Sequence, residues 1–214
     1  MAQFVCSAVL FDLDGVLVDS TQSVARQWQK WAERKRIDPK KVLKIAHGVR
    51  ALEIVERVAP HLDAAAEVRE IERLEVDDQD DVSVMPGAAE LVRSMPEGHW
   101  AVVTSGRRHL AEGRLRWAKL PLPRILVPAD EVSKGKPDPE PYLKAAQLLG
   151  VDPKDCLVIE DAPAGIRAAR AAGMKVIALT STYPASELKE ADAIVTALCQ
   201  IQVSQDSGLL RVTT

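Results

Sequence analysis

Four short polar segments each follow an apolar, β-branched run, and they carry the residue types most able to do chemistry. The segments are Asp12-Leu13-Asp14-Gly15, Thr104-Ser105-Gly106, Lys134-Gly135-Lys136-Pro137 and Glu160-Asp161. In open α/β sheets, ligands bind outside the carboxyl ends of the strands. We therefore expect the four segments to meet at one edge of a sheet.

Their convergence would bring four carboxylates together, those of Asp12, Asp14, Glu160 and Asp161, beside one or two lysines. Carboxylates at such short distances repel one another strongly unless a cation joins them, because an unpaired buried charge is costly. Oxygen ligands without histidine or cysteine favour Mg²⁺ over zinc or copper. We therefore predict a site for Mg²⁺.

The same edge offers groups that bind phosphate. Mg²⁺ held by carboxylates keeps positions open for water and a substrate phosphate. The hydroxyl of Thr104, the backbone amides of Ser105 and Gly106, and the ammonium of Lys136 or Lys134 could bind the phosphate oxygens. This combination predicts a phosphoryl-transfer centre, in which positioning and charge neutralisation supply most of the catalysis.

Each segment also has a purely structural interpretation. Asp14-Gly15 is typical of a β-turn. The segment at Thr104 could cap a helix that begins near Arg107, and Glu160-Asp161 could cap one that begins near Ala162. Their repeated position after buried strands favours chemistry in addition to these local roles.

The elements that must position these groups alternate between strand and helix. The predicted strands span residues 7–11, 100–103, 125–127, 156–159, 176–179 and 193–195, and predicted helices span 107–119, 140–149, 162–172 and 186–189. Repeated βα units of this kind build a parallel sheet with helices on both faces. The predicted fold class is therefore α/β, with a doubly wound, Rossmann-like core.

A long helical insert separates the first strand from the second. Helical patterns cover residues 21–36, 39–45, 50–58 and 64–76, with Asp63 as the N-cap of the last, and a short helix follows at 88–93. We predict a helical cap domain at 19–85 and a core at 1–18 and 86–214. The polar tail after Gln202 is expected to be loose.

Composition narrows the choice of partners. The 214 residues carry 28 Lys and Arg against 31 Asp and Glu, so the net charge of −3 gives no general attraction to nucleic acid or anionic lipid. Three cysteines without a C-x-x-C pair favour a reducing compartment. The sequence shows neither a leader nor an apolar run long enough for a membrane span. We expect a cytoplasmic protein that acts as a monomer.

The motifs resemble those of the haloacid dehalogenase superfamily. FDLDGVLVDS at residues 11–20 matches its first motif, Thr104-Ser105-Gly106 its second, GKPDPEPY at 135–142 its third and IEDAPAG at 159–165 its fourth. The match covers nearly the whole chain, and four motifs in order at strand ends are very specific.

The resemblance implies roles for individual residues. Asp12 would be the nucleophile that forms an aspartyl-phosphate, and Asp14 the general acid and base, with its backbone carbonyl on the metal. Asp12, Asp14, Glu160 and Asp161 would hold Mg²⁺, with Asp161 favoured over Glu160 as a direct ligand. Thr104 and Lys136 would bind the phosphoryl group. Lys136 is preferred to Lys134 because it directly precedes the proline of the third motif.

The subgroup with a cap in this position contains β-phosphoglucomutase and many phosphatases of small sugar and polyol phosphates. In those phosphatases, a loop similar to Ala46-His47-Gly48-Val49-Arg50 selects the substrate, so His47, Gly48 and Arg50 are implied substrate contacts, together with Ser105 and Gly106. Trp28 and Trp31 fit either the core of the cap or a surface that stacks on sugars. Packing is favoured, because they lie three residues apart on one helix.

Three functions remain open at this point. A Mg²⁺-dependent phosphomonoesterase for small sugar or polyol phosphates is favoured, and a mutase of the β-phosphoglucomutase type is the alternative. A mutase would need additional cationic contacts in the cap, and no lysine suited to this is evident. A non-catalytic phosphate-binding domain of the response-regulator kind is disfavoured by Asp14 and by the cap.

Overall fold

The computed structural model describes residues 2–77 and 80–214. Its strands are β1 (Gln3–Cys6), β2 (Ala8–Phe11), β3 (Val18–Asp19), β4 (Ser83–Val84), β5 (Trp100–Val103), β6 (Leu126–Val127), β7 (Cys156–Glu160), β8 (Lys175–Leu179), β9 (Ala193–Val195), β10 (Gln202–Asp206) and β11 (Leu209–Thr213). Its α-helices are α1 (Thr21–Arg34), α2 (Pro39–Leu43), α3 (Ala51–Val58), α4 (Ala64–Asp77), α5 (Ala88–Ser94), α6 (Arg108–Trp117), α7 (Glu140–Leu149) and α8 (Pro163–Ala171).

A six-stranded parallel sheet in the order β6-β5-β2-β7-β8-β9 forms the centre of the molecule. Every residue of β2 and β7 is buried, since α5 and α6 cover one face and α7 and α8 the other. Strands covered on both faces need apolar side chains throughout, which explains their runs without alternation. The predicted doubly wound α/β class is confirmed.

All six predicted strands form, and the helix boundaries lie within two residues of the predicted ones for most helices. Gly150 and Gly173, which follow α7 and α8, both adopt the left-handed conformation typical of helix ends, with φ of 70° and 79°. The predicted helix at 186–189 is instead a single 3-10 turn at Ala185–Glu187.

Helices α1 to α4, called here the helical insert, pack around an apolar cluster of their own. Trp28 and Trp31 are 2% and 0% exposed and stack edge to face at 5.4 Å, so both belong to that cluster. The Asp63 carboxylate accepts a hydrogen bond from the Ala66 amide at 3.1 Å, which confirms it as the N-cap of α4. Residues 19–85 remain our proposed extent of a cap domain, because β3 and β4 pair where the chain leaves and returns.

The prediction of a loose tail after Gln202 is wrong. Strands β10 and β11 form an antiparallel hairpin, and β11 also pairs with β1. Leu210 and Val212 alternate with exposed residues and fill the core, while Ser207 and Gly208 turn the hairpin with positive φ. The period-two alternation was present in the sequence but was overlooked in a polar context.

Among the described residues, no helix has the length and apolar character needed to cross a membrane.

Candidate active site

The predicted convergence of strand ends takes place. Asp12 follows β2, Thr104 follows β5, and Asp161 follows β7, and these three strands are parallel neighbours. Asp12, Thr104 and Asp161 are all buried. Register in the sheet therefore brings together residues that are up to 149 positions apart in the chain.

Lys136 is the cation at the centre of the site. Its ammonium donates hydrogen bonds to Asp12 Oδ1 at 2.5 Å, Glu160 Oε1 at 2.7 Å and the Val103 carbonyl at 3.2 Å. Although burial alone lowers the pKa of this lysine, the carboxylates of Asp12 and Glu160 raise it well above its usual value. Lys134 lies on the surface beside Asp138, so the structure places Lys136 at the site, as preferred from the motif.

Glu160 has both carboxylate oxygens engaged. Oε1 accepts hydrogen bonds from Lys136 and from the Tyr142 hydroxyl at 2.9 Å. Oε2 accepts hydrogen bonds from the amides of Asp161 at 2.9 Å and Ala162 at 3.0 Å. These four donors occupy the four lone-pair positions of the carboxylate, so direct metal ligation would require Glu160 to give up one of them. Ala162 is the N-cap residue of α8 and makes no side-chain capping hydrogen bond, so Glu160 binds the backbone just before the helix and does not cap it.

Two glycines make room for the acidic groups. A Cβ atom on Gly165, inside α8, would lie 1.6 Å from Glu160 Oε1, and one on Gly15 would lie 2.1 Å from Asp161 Oδ2. Gly15 also has a φ of 82°, which side chains rarely adopt. No residue with a side chain fits at either position without displacing a carboxylate.

Three carboxylates are close enough to share one ion. Asp12, Glu160 and Asp161 each offer an oxygen, and these atoms lie within 4.8 Å of one another in a fully buried setting. Burial is the main reason that the pKa of Asp12 rises to about 8, with Lys136 opposing the rise and Glu160 adding to it. Burial and the charges of Glu160 and Asp12 likewise hold the pKa of Asp161 well above its usual value. The donor set is hard, anionic and short of positive charge, which fits a divalent cation such as Mg²⁺.

The expectation that all four carboxylates would crowd together is wrong for Asp14. Its Oδ1 accepts a hydrogen bond from the Ser20 hydroxyl at 2.7 Å, and its Oδ2 forms an ion pair with Arg114 at 2.8 Å. Arg114 therefore supplies positive charge to Asp14, so this carboxylate does not depend on the three-carboxylate cluster for a cation. The Asp14 side chain therefore points to Ser20 and Arg114, and only its backbone carbonyl stays a predicted ligand of the metal.

The Thr104 turn is organised around its own hydroxyl. Thr104 Oγ1 accepts a hydrogen bond from the Gly106 amide at 3.0 Å, so its O–H is left to donate to a ligand. The amide of Gly106, predicted as a phosphate donor, is thereby used within the turn. The hydroxyl of Ser105 donates to the Gly48 carbonyl at 3.1 Å and so joins the core to the helical insert.

The loop at residues 46–50 lies over the site. Burial lowers the pKa of His47, with the charge of Asp14 opposing, so its imidazole is neutral at neutral pH. Arg50 was expected to contact substrate, but its guanidinium donates to Glu53 at 2.8 Å and to the carbonyls of Val132 and Ser133 at 3.3 and 3.2 Å. In this conformation Arg50 braces the insert against the core.

A cavity of about 380 Å³ lies between the core and the helical insert. Its core side includes Asp12, Asp14 and Thr104, and its insert side includes His47 and Trp28. A volume of this size holds a small organic ligand.

Sequence reasoning missed several residues that contact the site groups or their partners, among them Thr182, which is hydrogen-bonded to Asp161. Tyr142 lies within the third motif but was given no role, although it donates to Glu160. Arg114 on α6 and Glu75 on α4 form an ion pair at 3.1 Å and were not singled out at all. A charged residue on the apolar face of a helix is the signal that could have revealed Arg114, since such residues are rarely buried without a partner.

Comparisons with known proteins agree with this arrangement. A family model described as haloacid dehalogenase-like hydrolase matches residues 6–173. The chain is 40% identical over 205 residues to hexitol phosphatase A of Escherichia coli (strain K12), with 94% of this chain and 95% of that protein covered. It is 34% identical over 235 residues to 2-deoxyglucose-6-phosphate phosphatase 1 of Saccharomyces cerevisiae, with 97% and 94% covered. The crystal structure of a hydrolase from Pseudomonas syringae superposes with a TM-score of 0.81 at 28% identity, over 90% of this chain and 94% of that one.

The doubly wound sheet, with its buried aspartates and lysine at the carboxyl edge, defines an α/β protein whose site is suited to phosphoryl transfer. The chain belongs to the haloacid dehalogenase-like hydrolase family. The resemblance stated from the four motifs is thereby confirmed.

Proposed function

We propose that the protein hydrolyses phosphate monoesters of small sugars or polyols, with Asp12 as the nucleophile. The phosphoric monoester hydrolase predicted from the motifs is the class shared by the named relatives, and that prediction is confirmed. The observation that carries the mechanism is the buried cluster of Asp12, Glu160 and Asp161 around Lys136.

Mg²⁺ fits this cluster, and Asp12 and Asp161 would hold it, with Glu160 orienting the Asp161 backbone. When bound, the ion supplies the positive charge that lets two carboxylates and a substrate phosphate approach one another. A carboxylate with a pKa of about 8 is mostly protonated at neutral pH, and a protonated acid is a poor nucleophile. Positive charge beside Asp12 therefore favours its reactive form.

Hydrolysis would proceed in two displacements at phosphorus. In the first, an oxygen of Asp12 bonds to phosphorus, the bond to the leaving alcohol breaks, and Asp14 gives its proton to that alcohol oxygen. In the second, Asp14 takes a proton from water, the water oxygen bonds to phosphorus, and the aspartyl-phosphate bond breaks. Inorganic phosphate leaves, and Asp12 and Asp14 return to their initial states.

Other side chains would position the phosphoryl group. The Thr104 hydroxyl has its hydrogen available, and Lys136 holds one oxygen of Asp12 in place. His47 and Gly48 would enclose the substrate from the helical insert, which we propose acts as a movable cap.

Hydrolysis is favoured over the mutase alternative by the named relatives, since hexitol phosphatase A and 2-deoxyglucose-6-phosphate phosphatase 1 are both phosphatases. A mutase must hold a sugar bisphosphate, so a second phosphate needs cations. Arg50, Arg107 and Arg114 line the cavity, and each is paired with a glutamate, which leaves less charge for a second phosphate. Arg69 also lines the cavity, and it is the arginine that a second phosphate would have to use.

The test is a phosphate-release screen over a panel of sugar, polyol and nucleoside monophosphates with Mg²⁺. We expect release from sugar or polyol monophosphates, and none from the Asp12→Asn variant. An isomeric sugar phosphate in place of inorganic phosphate would support the mutase instead. Release by Asp12→Asn at the wild-type rate would refute the nucleophile assignment.

A further inference from the structure

Arg114 has an unusual position for an arginine. It lies in the middle of α6, on the face that packs against the core, and is 5% exposed. It belongs to none of the four motifs. A buried guanidinium is costly unless its donors are matched by acceptors, so its partners indicate what it is there to hold.

Both partners of Arg114 are carboxylates, and they come from different parts of the molecule. Nη1 contacts Asp14 Oδ2 at 2.8 Å, in the core. Nη2 contacts Glu75 Oε2 at 3.1 Å, on α4 of the helical insert. A planar guanidinium fixes the direction of both contacts, which a lysine could not do.

Asp14 is consequently held at both oxygens. Oδ1 is bound by the Ser20 hydroxyl, which directly precedes α1, and Oδ2 is bound by Arg114. A carboxylate held in this way has a single orientation. A group that must deliver a proton to a defined oxygen loses catalytic rate when it is misplaced by even about 1 Å.

Glu75 makes this arrangement depend on the insert. It is 7% exposed, and among the described residues its ion pair is with Arg114. Burial raises the pKa of Glu75 to about 7 despite the opposing charge of Arg114. Because Glu75 lies on α4 and Arg114 on α6, their ion pair can form only when the insert is closed on the core.

We propose that Arg114 is a positioning residue that holds the Asp14 carboxylate in its working orientation, and that Glu75 couples this orientation to closure of the helical insert. The proposal rests on the proposed function, because it assumes that Asp14 transfers the proton. A second ion pair, between Glu72 and Arg107 at 3.3 Å, also joins α4 to the start of α6. The proposal concerns Arg114 and not Arg107, because Arg114 is the one that binds Asp14.

The test compares two leaving groups. One substrate is the sugar or polyol monophosphate that the wild-type enzyme hydrolyses fastest, whose alkoxide must be protonated as it leaves. The other is p-nitrophenyl phosphate, whose leaving group needs little protonation. The value of kcat/KM reports the steps up to departure of the leaving group, so it isolates the proton transfer from later hydrolysis of the intermediate.

We expect Arg114→Gln to lower kcat/KM for the sugar or polyol ester by about 100-fold, the scale of general acid catalysis, and for p-nitrophenyl phosphate by less than about threefold. Glu75→Gln should lower the first value by about tenfold and spare the second, because Asp14 keeps Arg114 but loses its coupling to the insert. Arg116→Gln is the matched control, since Arg116 lies on the same helix with an exposed side chain paired to Glu112.

Equal losses on both substrates, or no loss on either, would overturn the proposal while leaving the proposed function intact. If Arg114→Gln fails to fold, as judged by circular dichroism, Glu75→Gln decides the question by the same ratio. A wild-type enzyme that hydrolyses neither ester would instead refute the proposed function.

Discussion

Replacing Lys136 by methionine would remove the only positive charge in direct contact with the described acidic cluster. Its ammonium lies 2.5 Å from Asp12 and 2.7 Å from Glu160, and Lys136 and Glu160 are 1% and 0% exposed. Removing one partner of a buried ion pair typically costs about 3–5 kcal/mol, because the remaining charge has no compensation. We therefore expect the free energy of unfolding of Lys136→Met to fall by that amount in the absence of metal.

The pH dependence of this loss has a definite sign. The pKa of Asp12 is about 8 with Lys136 present, far above its unfolded value of 3.8, so the proton on Asp12 stabilises the folded state at low pH. That stability is lost as the pH rises toward 8, and it then levels off. Removing Lys136 raises the folded pKa further, so the variant continues to lose stability above pH 8 and the gap between the two proteins widens there.

Mg²⁺ should narrow the gap. An ion that binds the folded state alone stabilises it by about 2.7 kcal/mol at a free concentration about 100 times its Kd. It can also offset charge that Lys136 no longer neutralises. Activity should stay low, because Asp12 loses the group that holds one of its oxygens.

Urea unfolding followed by tryptophan fluorescence, with EDTA or with Mg²⁺, measures these differences. Lys134→Met is the matched control, since Lys134 lies two residues away with a 74% exposed side chain and should contribute almost nothing. Equal stabilities for the two variants without metal, above pH 8, would refute the reasoning about the acidic cluster.

Three further expectations follow from the structure. Gly165→Ala should abolish activity and destabilise the fold, although Gly to Ala in a helix usually stabilises by roughly 1 kcal/mol, because its Cβ would overlap Glu160; an active, stabilised variant in urea unfolding would contradict this. In the wild type, the raised pKa of Glu75 stabilises the folded state below pH 4.5, and this stability, on the order of 3 kcal/mol, is lost between pH 4.5 and about 7. Glu75→Gln should remove this loss from the pH profile of the unfolding free energy. An unchanged profile in the variant would argue against it. A thiol reagent should label the exposed Cys199 rapidly and spare the buried Cys6 and Cys156, whose pKa values rise to about 11 and 12 through burial; mass spectrometry that finds two or three labels on the folded protein would contradict this.

Much of the fold could be predicted because short, local sequence patterns indicate its strands and helices. Buried strands such as β2 and β7 need unbroken apolar runs, and helix ends need residues such as Gly150 and Asp63. The tail hairpin was missed because its signal, alternation at Leu210 and Val212, is weak and its polar residues are typical of loops as well. Its partner β1 is 196 or more residues away in the chain, which no local pattern reveals.

The site was predictable where it follows strand ends, and not where it depends on side-chain direction. Asp12, Lys136 and Asp161 lie where the motifs placed them. The direction of the Asp14 carboxylate is set by Arg114, on a helix whose packing no local pattern describes. The contacts of Arg50 with Glu53 and a core loop likewise depend on side-chain direction, while its contact with substrate stays a prediction.

The proposed catalysis requires that Asp12 and Asp161 share one divalent cation. Isothermal titration calorimetry with Mg²⁺ tests it directly in the wild-type protein and in the Asp161→Asn and Asp14→Asn variants. We expect one ion per chain in the wild type, binding retained in Asp14→Asn, whose carboxylate is held by Ser20 and Arg114, and binding lost in Asp161→Asn. Wild-type affinity in Asp161→Asn, or no binding by the wild type at all, would contradict it.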